Sequence, residues 1–284
     1  MRLRAGKFAY DFPRATIVMG IINVTPDSFY NGGRYFDHNR AVERAFELIE
    51  EGAEILDIGG ESTRPGAQPV EEKEELKRVI PVIERIADKI NIPISIDTVK
   101  PEVARRAVAA GASLINDIAA NRQEPEMWQI VAETGAGYIV NHMKGSPQTM
   151  QLNPVYCDVV KEIDDFFEDR LRRLKSIGVY EDQVVLDPGI GFGKTVEHNL
   201  KILKNVKYFG KWGRPVMIGA SRKSFIGKIL NLDVEFRLSG SLACAAWAVM
   251  NGVKIIRAHD VRETVQVAKM IEAIMTEGDA GNDD

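Results

Sequence analysis

Apolar and β-branched residues gather in short runs along the chain. They fall at residues 17–24 (IVMGIINV), 55–60 (ILDIGG), 94–98 (ISIDT), 114–118 (LINDI), 138–143 (YIVNHM), 184–189 (VVLDPG), 216–221 (VMIGAS) and 255–260 (IIRAHD). Unbroken apolar runs, as opposed to strict alternation, predict parallel strands covered by helices. The segments between them carry the helical period. Residues 41–51 (AVERAFELIEE) place Val42, Ala45, Phe46 and Ile49 on one stripe, and Gly52 follows as a stop. Pro101 opens a helix over 102–110 and Gly111 closes it. A longer helical stretch, 71–90, holds Pro81, which predicts a kink or two helices. Helices are also expected over 159–177, 196–204, 238–251 and 261–275.

Eight strands alternating with helices in 284 residues read as an α/β (β/α)8 TIM barrel. A doubly wound open sheet has the same alternation. Residues 2–15 precede the first strand and predict a short hairpin closing the barrel floor. No composition shift or Pro/Gly-rich linker divides the chain, so residues 1–277 are expected to form a single domain. Residues 278–284 (GDAGNDD) are small and acidic, and a disordered tail is expected there.

Nearly every run ends in something polar. Asn23 ends the first, and Glu61, Thr63 and Arg64 follow the second. Asp97 ends the third, Asn116 and Asp117 sit in the fourth, and Asn141 and His142 in the fifth. Asp187 ends the sixth, Arg222 and Lys223 follow the seventh, and Arg257 and His259 end the eighth. In a barrel these ends share one rim around one cavity. A single Asp or Asn at a strand end more often caps the next helix than takes part in chemistry. A whole ring of them points to a ligand with a hydrogen-bonding ring and an anionic group.

Composition narrows the classes. With 45% hydrophobic residues, a chain of this size can bury roughly 75% of its unfolded surface, which excludes disorder for the bulk of it. A net charge of −4 argues against broad nucleic-acid binding, so an anionic ligand must be held by a few local cations. Cys157 and Cys244 are too few for a disulfide framework or a structural zinc site and are expected to be reduced, in a cytoplasmic protein. The apolar run 242–250 is far shorter than the ~20 residues a bilayer span needs. No signal-peptide-like stretch follows Arg2 and Arg4.

The segment 187–195 (DPGIGFGKT) ends like a P-loop, but Pro188 stands where the first glycine is required. The dinucleotide fingerprint starting at Gly189 fails too, because residue 194 is Lys. These glycines let a βα loop turn tightly, and a functional reading adds that backbone can then approach a flat ring, with Phe192 at its edge. Loops 23–33 (NVTPDSFYNGG) and 59–66 (GGESTRPG) are longer and more polar than packing requires and suit closure over a rim. In 219–227 (GASRKSFIG), Arg222 suits an outer ion pair with a helix carboxylate. Lys223, one residue on, would then point inward.

Taken together and in order, NVTPDSF, GGESTRPG, ISIDT, ND, NHM, DPGIGFGK, SRKSFIG and RAHDV resemble the dihydropteroate synthase family of pterin-binding enzymes. The resemblance spans about residues 15–276. It implies a (β/α)8 barrel, a homodimer and dependence on Mg2+. It also implies condensation of (7,8-dihydropterin-6-yl)methyl diphosphate with p-aminobenzoate, giving 7,8-dihydropteroate and diphosphate, in folate biosynthesis. Sulfonamides would act as competitive mimics of p-aminobenzoate.

Carried over position by position, the resemblance makes Lys223, Arg257, Asp97 and Asp187 catalytic. Thr63, Asp97, Asn116, Ile118, Met143, Asp187, Gly219, Lys223, Arg257 and His259 would bind the pterin diphosphate. Arg64, Pro65, Phe192 and Ser224 would border p-aminobenzoate, and Asn23 would ligate Mg2+. Tyr30-Asn31, Ala119-Ala120 and Ala258 depart slightly from the family pattern, and Tyr30 bears on how the first loop closes. Three other readings stand beside this one. A cobalamin-linked, pterin-dependent methyltransferase would have less use for the two loops GGESTRPG and SRKSFIG together. A Schiff-base aldolase would want Lys223 in an apolar strand interior. A non-catalytic folate-binding barrel would have lost some of these polar residues.

Overall fold

The computed structural model describes residues 1–25, 38–62, 68–120, 125–146, 149–150 and 152–276. The expected N-terminal hairpin is present as β1 (Arg2–Ala5) and β2 (Phe8–Asp11), paired antiparallel. The strands that follow are β3 (Ile17–Asn23), β4 (Ile55–Gly59), β5 (Ile94–Asp97), β6 (Leu114–Asp117), β7 (Gly137–Asn141), β8 (Val184–Asp187), β9 (Met217–Ile218) and β10 (Ile255–Ala258). They form a parallel sheet in the order β8-β7-β6-β5-β4-β3-β10-β9. A bridge between Leu186 and Val216, with Leu186 N–H donating to Pro215 O at 2.9 Å, closes the two ends. The sheet is a barrel, not the open alternative.

The helices are α1 (His38–Glu50), α2 (Glu72–Ile86), α3 (Pro101–Ala109), α4 (Glu126–Thr134), α5 (Val159–Ser176), α6 (Val196–Lys204), α7 (Ser224–Leu230), α8 (Leu238–Met250) and α9 (Val261–Thr276). Two differences from expectation have physical causes. Residues 72–86 form one helix across Pro81, not two. Proline frees the carbonyl four residues back, that of Lys77. His38 Nε2 lies 3.1 Å from that oxygen and can donate to it, so the freed acceptor is satisfied. The second difference is α4 and α7. Both are short, at 9 and 7 residues, and neither has a side-chain cap to announce it.

Apolar residues are divided between two spaces. The outward faces of the strands pack on the helices in one large cluster that includes Val18, Ile22, Leu56, Ile58, Ile96, Ile115, Tyr138 and Leu186. A second cluster fills the lower barrel interior: Ile17, Met19, Ile55, Leu114, Ile139, Val185, Met217 and Ile255, plugged from below by Leu3, Ala5 and Phe12 of the hairpin segment. The period of two along each strand then decides what faces the upper interior. The floor is apolar and closed, so polar side chains of inward parity gather in the upper half of the barrel, at and just below the mouth. The expected tail 278–284 lies outside the described residues.

Candidate active site

Inward parity from the lower cluster puts Asn23 on β3, Asp57 on β4, Asp97 on β5, Asn116 on β6, Asn141 on β7, Asp187 on β8 and Arg257 on β10 at the upper end. Gly219 and His259 follow just beyond β9 and β10. Asp97, Asn116, Asn141 and Asp187 are all buried. The expected strand-end residues among those described therefore share one mouth at the C-terminal ends of the strands, the end where barrel enzymes hold their substrates.

Arg257 is the hub. Its Nε donates to Asp57 Oδ2 at 2.6 Å and its Nη2 to Asp97 Oδ2 at 2.7 Å. Asn116 Nδ2 donates to the same Asp57 oxygen at 3.1 Å. Gly219 flanks this arm: a Cβ there would meet Arg257 Cβ at 3.6 Å, an ordinary contact. Burial pushes the Asp97 carboxyl up to about 7, with Arg257 and Lys223 opposing and Asp57 and Glu75 adding to the rise. The buried oxygens Asp97 Oδ1, Asp57 Oδ1 and Asn141 Oδ1 have no hydrogen-bond partner among the described residues. Buried acceptors left unpaired are costly, and a ligand presenting N–H donors would offset that cost.

The opposite wall is built by the glycine loop after β8. Asp187 Oδ1 accepts the Gly189 N–H at 2.7 Å, and burial raises the Asp187 carboxyl above its ordinary range. Gly189 has φ +71°, and a Cβ there would meet His142 O at 1.9 Å, so only glycine fits. Lys223 donates its ammonium to Ile190 O and lies 4.2 Å from the Phe192 ring centroid. Burial brings Lys223 down to about 8, opposed by Asp187 and aided by Arg257. Met143 packs in a small cluster with Ala119 and Met150, with Phe192 against it. Ile118 is buried, and its carbonyl accepts from Asn141 Nδ2 at 3.3 Å.

On the β9–β10 side, Ser221 Oγ and His259 Nδ1 are 3.0 Å apart. Arg222 pairs with Asp260, Nε to Oδ2 at 2.9 Å, a carboxylate just ahead of α9 and not on a helix as expected, and its neighbour Lys223 faces the mouth as the sequence suggested. Ser224 begins α7 and is exposed. Thr63, Arg64, Pro65 and Tyr30 lie outside the described residues.

Two residues had escaped the sequence reading. Asp57 sits inside the apolar run ILDIGG, where it reads as ordinary strand. Its inward parity with Ile55 and Gly59 is the signal that could have found it. Lys194 looks like a P-loop lysine but is buried. Its Nζ meets His142 Nδ1, His142 O and Phe192 O at 3.0, 3.1 and 3.0 Å. Burial holds its pKa well below the usual lysine value. It ties the glycine loop to the exit of β7 and offers no phosphate site.

The model of the family described as "Pterin binding enzyme" matches residues 19–259. Dihydropteroate synthase of Escherichia coli (strain K12) is 48% identical over 259 residues, which covers 91% of this chain and 92% of that protein. The chain belongs to the dihydropteroate synthase family of pterin-binding enzymes. It is a transferase of folate biosynthesis. The fold agrees: Yersinia pestis dihydropteroate synthase, solved in a sulfonamide drug complex, superposes with a TM-score of 0.91 at 42% identity, over 97% of this chain and 100% of that one. Xanthomonas albilineans dihydropteroate synthase, solved with 4-aminobenzoic acid, gives 0.90 at 41% identity, over 96% and 98%. The methyltransferase and aldolase readings give way to this one.

Proposed function

We propose that this enzyme joins (7,8-dihydropterin-6-yl)methyl diphosphate to p-aminobenzoate at the barrel mouth, with the residues above in the following roles. The observation that carries the assignment is the convergence of Asp97, Asn116, Asp187, Lys223 and Arg257 at one barrel mouth that also holds unpaired buried acceptors. A dihydropterin edge presents amino and ring N–H donors that suit Asp97, Asn116 and Asp187. Lys223 holds the ring from the Phe192 side, and Ile118, Met143 and Gly219 line the slot. Arg257 and His259, with Thr63, meet the diphosphate. Arg64, Pro65, Phe192 and Ser224 border the amine substrate, where sulfonamides would compete.

In the reaction the C–O bond to diphosphate breaks and the amine lone pair forms the new C–N bond. The leaving group takes the bonding electrons, and the proton lost from nitrogen passes to solvent. The aryl amine needs little activation, so the task is to stabilise separating charge. Arg257 and His259 face the negative side, and the carboxylates of Asp97 and Asp187 favour positive charge spread over the pterin.

Mg2+ fits the donor set. Asn23 contributes an amide oxygen at the end of β3, and no cluster of three or more His, Cys, Asp or Glu able to hold a metal occurs among the described residues. One protein oxygen beside waters and phosphates is the usual magnesium habit. Bound there, the ion would neutralise charge on the departing diphosphate.

Trp247 and Met250 on α8 and Met270 and Ile274 on the adjoining α9 are large, apolar and exposed, which supports a homodimer through this face. A cytoplasmic location is in keeping with a folate-pathway enzyme, and no described helix is long and apolar enough to cross a membrane. The test of the reaction is a diphosphate-release assay with the pterin ester, with and without p-aminobenzoate and Mg2+. Release should depend on the amine and match dihydropteroate formation mole for mole. Release that ignores p-aminobenzoate would refute the assignment.

A further inference from the structure

We propose that Asp57 is a positioning residue that aims Arg257 and Asn116 at the pterin and keeps Arg257 at the mouth when the ring claims Asp97. The proposal rests on the reaction read above. Asp57 is fully buried, and the strand register sets it one inward position below the mouth: Asp57 is opposite Ser95, whereas Gly59 is opposite Asp97. Its hydrogen-bonded oxygen accepts from Arg257 Nε at 2.6 Å and from Asn116 Nδ2 at 3.1 Å. Beneath it lie the apolar side chains of the lower cluster, among them Ile17, Met19 and Ile55. A carboxylate buried there costs stability unless paired, and the partners it has are two residues of the mouth. Folding the barrel does not call for it; holding those two side chains does.

The two arms of Arg257 are not equivalent. Nη2 binds Asp97, whose other oxygen is already unpaired, and Nε binds Asp57 below. A ring whose N–H groups bond the unpaired Asp97 Oδ1 shares the charge of that carboxylate and so weakens its hold on the Nη2 arm. The Nε arm stays with Asp57, out of the ring's reach. The guanidinium is thereby freed toward the substrate without leaving the mouth. The groups facing Asp97 are Arg257, Asp57, Glu75 and Lys223, and the Asp57 charge raises the pH at which Asp97 ionises.

The test is Asp57→Asn, which keeps shape and acceptor and removes the charge. kcat/KM for the pterin diphosphate should fall about tenfold or more, while KM for p-aminobenzoate stays within about twofold. The acid limb of the pH profile should move to lower pH. In a cycle with Arg257→Lys, the double variant should be little worse than Arg257→Lys alone, because Asp57 acts through that residue. Wild-type kinetics, an unmoved acid limb, equal losses for both substrates or additive losses would each overturn the proposal. Should the amide variant fail to fold, Asp57→Ser carries the same test. Calorimetry with an unreactive pterin separates this claim from the reaction itself. Binding to the parent enzyme should tighten as pH rises through about 7, and Asp57→Asn should shift that transition downward. An unshifted transition rejects the role of Asp57 even if the wild-type enzyme makes dihydropteroate.

Discussion

Asp187 accepts a backbone N–H from the very loop it precedes, and burial still raises its pKa. A carboxylate kept in such a place is one whose charge is used by a ligand. Asp187→Ala should remove charge-assisted hydrogen bonds of about 1.5–3 kcal/mol each, so pterin diphosphate should bind at least about tenfold more weakly by calorimetry. The mouth also sets the pH response. Asp97 is protonated below about 7 and Lys223 loses its proton above about 8. If the ionised carboxylate and the ammonium are both needed, kcat/KM rises through the first value and falls through the second. The profile should be a narrow bell, and Lys223→Arg should move only its alkaline limb, upward. Because these groups interact, the apparent values belong to the set. Most of this ring was legible in the sequence: Asp97, Asn116, Asp187 and Arg257 each stand at the polar end of an apolar run. Asp57 and Lys194 were not. One lies within a run and the other imitates a phosphate loop, and what distinguishes both is burial, which only the closed barrel creates.

At the scale of elements, strand and helix identity followed from periodicity and from glycine and proline punctuation. α6 falls on residues 196–204 as expected, with Thr195 accepting the His198 N–H as its cap. α7 was hidden because its residues lie within a loop rich in serine and cations, and 7 residues are too few for a periodic signal. Barrel closure is a non-local fact: it depends on β9 pairing only two residues with β10 while Leu186 bridges to Val216. The hairpin is where sequence and packing agree most usefully. Leu3 is fully buried under the lower interior cluster. Leu3→Ala should cost about 2–5 kcal/mol in urea denaturation by loss of transfer energy and by the cavity left behind. kcat should change little, since the floor is remote from the mouth. A large loss of activity in a folded variant would mean that the floor communicates with the chemistry.

The whole molecule is mildly acidic, yet its mouth gathers Lys223, Arg257 and His259, so in the proposed assignment the diphosphate would be recognised locally and not by the overall field. The apolar floor and the polar mouth divide stability from function between the two ends of one barrel. Oligomeric state belongs to this scale as well. Trp247 is 45% and Met270 61% exposed on neighbouring helices. Sedimentation should give a dimer, and Trp247→Glu should shift it toward monomer by placing a charge in an apolar contact. A monomer at micromolar concentration in the parent enzyme would remove that assignment and leave the single-chain mouth untouched. The most direct measurement of all is a crystal structure with an unreactive pterin diphosphate. The ring edge should lie against Asp97, Asn116 and Asp187, with Arg257 turned from Asp97 toward the diphosphate. A ring bound away from these residues would contradict the account.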